Sequence, residues 1–328
     1  MAKTASFWKG RRVLVTGGAG FIGYALATKL AGLGAHVFVL DIKPSLPPFA
    51  LADQKTRSKI TYIRGSVTSR KTIDRILQEK RIRTIFHLAA EAIVGRANQN
   101  PERTLRTNVL GTWTLLESVR IQGKVKEIVI ASSDKAYGSH EKLPYREDAA
   151  LQGLNPYDCS KSGTDLIAQM YAHSFSLPIV VARCGNVYGP GDINWSRLIP
   201  DAFRSIAGRR ALDVRSDGTY KRDYNFIDDI VEAYITLAQC VASKRLAGEA
   251  FNFGGGSPHS VFDVLHELER VAPTFRYRIL NTVQGEIHKQ YLDSSKARRV
   301  LGWRARTSFS DGIRKTGAWY SQYFTEIV

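Results

Sequence analysis

Arg12-Val13-Leu14-Val15-Thr16 runs directly into Gly17-Gly18-Ala19-Gly20-Phe21-Ile22-Gly23. The first block is a short apolar, β-branched run, the pattern of a buried strand, and Phe21–Gly32 continues as a helix. Between them, Gly17, Gly20 and Gly23 form a G-x-x-G-x-x-G turn. In a strand–turn–helix setting such glycines permit a tight turn, a close approach of backbone to a pyrophosphate, and close packing of helix on strand. The free N–H groups at the start of the helix then face the anion. Asp41 ends the next apolar run, eighteen residues beyond Gly23. A carboxylate there accepts hydrogen bonds from the adenosine ribose and repels a 2′-phosphate, so NAD is read in preference to NADP, with Lys43 the one feature favouring the latter.

Outward from this unit, strand candidates alternate with helical stretches. Arg12–Thr16, Val37–Asp41, Ile60–Ile63, Thr84–Ala89, Glu127–Ser132 and Pro178–Arg183 read as strands. Phe21–Gly32, Arg70–Lys80, Pro101–Gln122 and Tyr157–Phe175 read as helices long enough to cross over a parallel sheet. The fold class is α/β: a Rossmann-type doubly wound parallel sheet with a smaller, irregular α/β substrate-binding lobe. Residues 1–185 are assigned to the NAD-binding domain with its catalytic helix. Residues 186–328 are assigned mainly to the second lobe, with the chain free to cross between them. That second part has helices at Asp228–Ala242 and Val261–Val271 separated by loops rich in Gly, Pro and Asp. A Pro-containing loop is expected over Lys43–Pro48.

The 328 residues suffice for a full core, and the three cysteines (Cys159, Cys184, Cys240) are widely spaced without a C-x-x-C. Neither a disulfide framework nor a metal site is expected, and a reducing cytoplasm fits. The cationic stretch Met1–Arg12 is followed by Thr16, several glycines and Lys29, unlike a secretory leader, and no uncharged apolar run of about 18 residues suggests a membrane span. Net charge is +17, with ten Lys/Arg against four Asp/Glu from Arg276 onward. This points to anionic partners, first a phosphate-bearing small molecule. No helix-turn-helix, zinc-finger or RNP pattern accompanies the charge, so nucleic acid is set aside.

The chemistry is concentrated in Ser133-Asp134-Lys135, after the fifth strand, and in Tyr157-x-x-x-Lys161. On a helix, positions i and i+4 share a face, so Lys161 can approach both the nicotinamide ribose and the Tyr157 phenol and lower the phenol's pKa. Tyr157 would then serve as base in oxidising a sugar hydroxyl, with Ser133 hydrogen-bonding the same oxygen. Oxidation alone needs neither Asp134 nor Lys135. An acid held protonated and an amine with a depressed pKa, lowered by burial or by Lys161, would together remove water from the resulting ketone.

These residues resemble those of the extended short-chain dehydrogenases/reductases of the nucleotide-sugar epimerase/dehydratase family. The resemblance includes the glycine turn, His87-Leu88-Ala89-Ala90, Asn108, Tyr157/Lys161, Arg222-Asp223-Tyr224-Asn225-Phe226-Ile227-Asp228-Asp229, Asp293-Ser294-Ser295-Lys296-Ala297 and Leu301-Gly302-Trp303. It implies cofactor contacts from Gly17, Gly20, Phe21, Ile22, Gly23, Asp41, Leu88, Ala89, Ala90, Asn108, Tyr157 and Lys161, and a catalytic set of Ser133, Asp134, Lys135, Tyr157 and Lys161. The Asp-Lys pair is similar to that of CDP-glucose 4,6-dehydratases, as are Arg183-Cys184-Gly185-Asn186-Val187 and Arg197-Leu198-Ile199-Pro200-Asp201. From the same resemblance Asn186, Arg197, Leu198, Arg222 and His288 are expected to bind a CDP-, UDP-, dTDP- or GDP-linked sugar, and the implied assembly is a homodimer. Two departures stand out: Gly65-Ser66 replaces the family's frequent Gly-Asp, and the Pro-Trp-Gln-His stretch common in the CDP-glucose group is missing near Arg222. The implied activity is 4,6-dehydration, with 4-epimerisation or 5,6-dehydration as alternative reactions and an NAD(H)-responsive regulatory or RNA-binding protein as the non-enzyme alternative.

Overall fold

The computed structural model describes residues 6–43, 54–243, 246–282 and 285–326. A seven-stranded parallel sheet forms its centre. Strands β1 (Arg12–Thr16), β2 (His36–Asp41), β3 (Ile60–Arg64), β4 (Thr84–His87), β5 (Glu127–Ser133) and β6 (Ile179–Cys184) follow each other in the chain. A seventh strand, Ala250–Phe253, joins the edge beside β6, so the order across the sheet is Ala250–Phe253, β6, β5, β4, β1, β2, β3. The order reverses between β1 and β4, which places a crevice outside the carboxyl ends of these strands.

Strands buried on both faces read as continuous apolar runs, and alternation then assigns successive residues to opposite layers. Val13 and Val15 pack in the layer that also holds Leu30, Phe86, Val180 and Ile235. Leu14, between them, packs in the other with Ile85, Leu115, Ile128 and Tyr171. The first helix, Phe21–Gly32, has the expected bounds. Pro101–Gln122 differs from the single helix expected: it is Pro101–Leu105, a π-helical turn at Arg106–Leu110, and Gly111–Gln122. Gly123, at φ +64°, ends the last piece in the left-handed region. The proline loop expected beyond Lys43 lies outside the described residues.

Part of the second half of the chain crosses back to the main sheet. The strand Ala250–Phe253 pairs with β6, and the helix Ile227–Ser243 packs against β5, β6 and the first helix. What remains outside is built from short pairings, among them Lys221–Arg222 between His259–Ser260 and Lys289–Gln290.

A buried ion pair ties this framework together. Arg183 on β6 bonds both carboxylate oxygens of Asp165, at 2.8 and 3.0 Å, from the long helix Pro156–Phe175. Its third nitrogen donates to Tyr137 Oη at 2.8 Å and to the Glu147 carbonyl at 3.0 Å. Removing one member strands the other charge in the core, so Asp165→Ala should lower unfolding free energy by about 3–5 kcal/mol. Urea denaturation of the purified protein measures this; a loss under about 1 kcal/mol would contradict it.

Candidate active site

A cleft of about 2400 Å³ opens over the carboxyl ends of β1, β4, β5 and β6. At one end lies the glycine turn. Gly17 has φ +70°, and a Cβ there would sit 2.7 Å from the Ala89 nitrogen. A Cβ on Gly23 would lie 2.3 Å from the Gly17 carbonyl oxygen. Both positions therefore require glycine, and the bare backbone they leave suits a dinucleotide's pyrophosphate. Gly20, Phe21, Ile22, Leu88, Ala89 and Ala90 also line the cleft. Asp41 accepts from the Ala19 and Lys43 backbone N–H groups, each at 3.0 Å, while Lys43 Nζ turns away to the Ala19 carbonyl at 2.9 Å. Ser66, where an acid is frequent, pairs with Thr68 Oγ1 at 2.8 Å.

Asn108 occupies a different place from the cofactor contact expected of it. It is buried outside the cleft lining, and its amide is consumed internally. Its oxygen accepts from Glu91 N at 2.7 Å, and its nitrogen donates to Ser160 Oγ at 2.8 Å. The π-helical turn carries it there. Asn108 thus connects the cleft loop at Glu91 to the long helix one residue before Lys161. His87 is likewise structural: burial first, and the Lys161 charge second, push it down to about 3, leaving a neutral ring between Thr16 Oγ1 (2.7 Å) and Thr112 Oγ1 (3.0 Å).

Ser133, Asp134, Lys135, Tyr157 and Lys161 converge on the cleft. Asp134 begins a one-turn 3₁₀ helix, Asp134–Tyr137, and Tyr157 and Lys161 lie on the first turns of Pro156–Phe175. The Tyr157 phenol differs from expectation. Burial pushes it up to about 12, against a hydrogen bond from Ser133 that lowers it, and Asp134 adds to the rise. Lys161 Nζ stands 5.9 Å from the phenol's ring centre and donates to the Ala131 carbonyl at 2.7 Å. Desolvation of the phenol therefore outweighs the lowering effects of Ser133 and Arg197.

Asp134 is buried, and desolvation raises its pKa above the ordinary carboxylate value. Ser133 Oγ donates to Asp134 Oδ1 at 2.9 Å, whereas Asp134 Oδ2 and Ser132 Oγ are buried and unpaired among the described residues. Lys135 is pushed the opposite way. Burial lowers it, aided by Arg222, against the raising effects of Asp134, Asp158 and Glu286. Arg222, rather than Lys161, is the neighbouring cation responsible. The two shifts favour a neutral acid beside a neutral amine.

Two further side chains join the site without a motif to mark them. Gln290 is fully buried, with Oε1 2.6 Å from Lys135 Nζ and Nε2 3.0 Å from the Asp134 carbonyl. Asp158, also buried, lines the cleft directly after Tyr157. Its position next to the tyrosine was the available signal; Gln290 offered none.

Among the residues expected to bind substrate, Asn186, Leu198, Arg197 and Arg222 line the cleft. Arg197 is paired to buried Asp192 at 3.0 Å and keeps its side chain 39 % exposed. Arg222 is buried, with its guanidinium on the carbonyls of Lys221, Ile287 and His288. The His288 ring departs from the expected role. It lies outside the cleft lining, bonded to Thr219 Oγ1 at 2.8 Å and packed on Tyr220, while its backbone carbonyl accepts from Arg222.

Burial also pulls the Lys161 amine down to about 8. The unfolded chain holds that proton up to the ordinary value of about 10.5. Between these limits the unfolded state binds more protons, so stability contributed by this site rises with pH across the window. Lys161→Met should consequently be more stable than wild type near pH 7, by on the order of 2–3 kcal/mol, with the gap closing toward pH 10.5. Parallel denaturation curves across this range check it; a gap independent of pH would contradict it.

This arrangement has clear relatives. The trifunctional UDP-glucose 4,6-dehydratase/UDP-4-keto-6-deoxy-D-glucose 3,5-epimerase/UDP-4-keto-L-rhamnose-reductase of Arabidopsis thaliana is 27% identical over 330 residues, covering 96% of this chain. The chain spans about half of that relative's length, 48%. A UDP-glucuronate 4-epimerase of Thermodesulfobacterium geofontis is 31% identical over 317 residues, 93% of this chain and 95% of its own. The crystal structure of DesIV, a dTDP-glucose 4,6-dehydratase from Streptomyces venezuelae with NAD and TYD bound, superposes with a TM-score of 0.85 at 30% identity, covering 95% of this chain and 97% of that one. Residues 14–316 match the sequence model of one family. The chain belongs to the GDP-mannose 4,6 dehydratase family, within the extended short-chain dehydrogenases/reductases that act as nucleotide-sugar dehydratases and epimerases.

Proposed function

We propose that the protein is an NAD-dependent nucleotide-diphosphate-sugar 4,6-dehydratase forming a 4-keto-6-deoxy hexose. The observation that supports this most is the oppositely shifted Asp134–Lys135 pair, its carboxyl buried and its amine half-buried, beside Ser133 and Tyr157. Gly17, Gly20, Phe21, Gly23, Asp41 and the Leu88–Ala90 turn hold the cofactor. The chemistry NAD supplies when bound is acceptance of hydride from the sugar's C4 and its return at C6.

Tyr157 takes the proton of the 4-hydroxyl while Ser133 holds the same oxygen. The Arg197 charge lowers the phenol's pKa against the burial that raises it. The 4-ketone acidifies the C5 proton, which Lys135 removes as a neutral amine. Asp134, protonated, donates to the 6-hydroxyl, which departs as water. Asn186, Arg197 and Arg222 face the diphosphate. The Asp-Lys order favours a CDP-linked substrate, whereas the generic Arg222–Asp229 stretch admits the other nucleotides.

A 4-epimerase is the second reading, favoured by the T. geofontis relative. Epimerisation uses Ser133, Tyr157 and Lys161 but needs no general acid at C6. The two separate by mutation: Tyr157→Phe should abolish all chemistry, whereas Asp134→Asn should still oxidise C4 and slow water loss by about 10²–10⁴-fold. Ketone trapping and mass analysis on a panel of CDP-, UDP-, dTDP- and GDP-sugars provide the readout. Wild-type turnover by Asp134→Asn would refute the elimination role.

The homodimer has a candidate surface. Leu105, Trp113, Leu166 and Met170 are 43–55 % exposed along Pro101–Gln122 and Pro156–Phe175, while Leu116 is in the core. Two helices from each copy would form a four-helix contact, self-complementary about a twofold axis. Sedimentation should find a dimer for wild type and a monomer for Trp113→Asp/Leu166→Glu. A concentration-independent wild-type monomer would oppose the assignment.

A further inference from the structure

We infer that Gln290 is a positioning residue that holds the Asp134–Lys135 pair for elimination and couples it to the substrate-binding segment around Arg222. This rests on the dehydratase reading above. The side chain is completely buried and spans both residues of the pair, accepting from Lys135 Nζ at 2.6 Å and donating to the Asp134 carbonyl at 3.0 Å. A primary amide is well suited to this double task, since it offers an acceptor and a donor on one planar group. Lys135 is otherwise a long, flexible chain whose amine could settle against Asp134 instead of pointing at C5; the Gln290 oxygen gives it one fixed partner.

The strand that carries Gln290 extends the role. Lys289–Gln290 pairs in parallel with Lys221–Arg222, with Gln290 opposite Arg222. The carbonyls of Ile287 and His288, just before it, hold the Arg222 guanidinium. One four-residue stretch therefore fixes both the arginine assigned to the diphosphate and the amine assigned to C5. A displacement of either side chain is felt by the other through residues 287–290.

Charged neighbours of Lys135 are Asp134, Arg222, Asp158 and Glu286. Against that background the amide is a neutral dipole whose oxygen favours the ammonium, and its replacement has a definite sign. Gln290→Met removes the acceptor and should move the Lys135 titration to lower pH. Gln290→Glu keeps the shape, adds a negative charge and should move it to higher pH.

Two readouts test this. The first follows the side-chain resonance of Lys135 in protein carrying isotope-labelled lysine, assigned by its loss in Lys135→Met; it needs no turnover. Opposite shifts in Gln290→Met and Gln290→Glu are expected, and an unmoved titration in both would overturn the clamp. The second is kinetic. Gln290→Met should lower kcat about 10²-fold with KM little changed, as expected for a misplaced base, and the rising limb of its pH profile should move down while that of Gln290→Glu moves up. Equal losses in both variants with unmoved limbs would mean a packing role only. If the resonance shifts as expected but wild type removes no water from any nucleotide sugar, the clamp stands as geometry and the dehydratase reading falls.

Discussion

The buried guanidinium of Arg183 is the constraint on which the site depends. Two charges in the core are costly to desolvate, and the arrangement is stable only because every direction of the fork finds an acceptor. Asp165 fixes the long helix that carries Tyr157 and Lys161, and Tyr137 fixes the end of the turn that begins at Asp134. The network continues from Tyr137 Oη to Asn252 Oδ1 at 2.7 Å on the edge strand, and from Asn252 to the Tyr145 carbonyl at 2.9 Å. Tyr145 in turn pairs with the segment of Tyr291 and Leu292, next to Gln290. The acid–base turn is thereby anchored from behind by Arg183 and from in front by Gln290.

That anchoring allows two groups with opposed protonation preferences to sit side by side. On a surface, adjacent Asp and Lys would form a solvated ion pair with ordinary pKa values. Burial penalises the charge on each, moving the carboxyl up and the amine down. The same environment raises the Tyr157 phenol. One desolvating environment thus moves the Asp134 carboxyl and the Tyr157 phenol up and the Lys135 amine down.

The fold was legible because its signals are local. The glycine turn, the apolar strands and the crossover helices can be read over windows of ten or so residues, and six strands of the sheet follow from them. The seventh, Ala250–Phe253, is four residues between a charged position and a glycine run, too short to display a period. The π-helical break at Arg106–Leu110 was hidden because its composition suits an ordinary helix, and it exists to direct Asn108 inward. The site was legible where chemistry is written in adjacent residues, as in Ser133–Lys135. Gln290 acts across 155 residues of chain through a single amide, and no sequence pattern announces such a contact. The sign of the Tyr157 shift was likewise inaccessible, since spacing gives the neighbouring charge but not the depth of burial.

The central claim is that this cleft removes water rather than inverting a stereocentre. A nucleotide-diphosphate hexose carrying deuterium at C4, turned over by the wild-type protein and analysed by mass and position of label, tests it most directly. The account predicts a product lighter by one water, with the deuterium relocated to C6 and the C5 hydrogen drawn from solvent. A product of unchanged mass with deuterium still at C4 would contradict it.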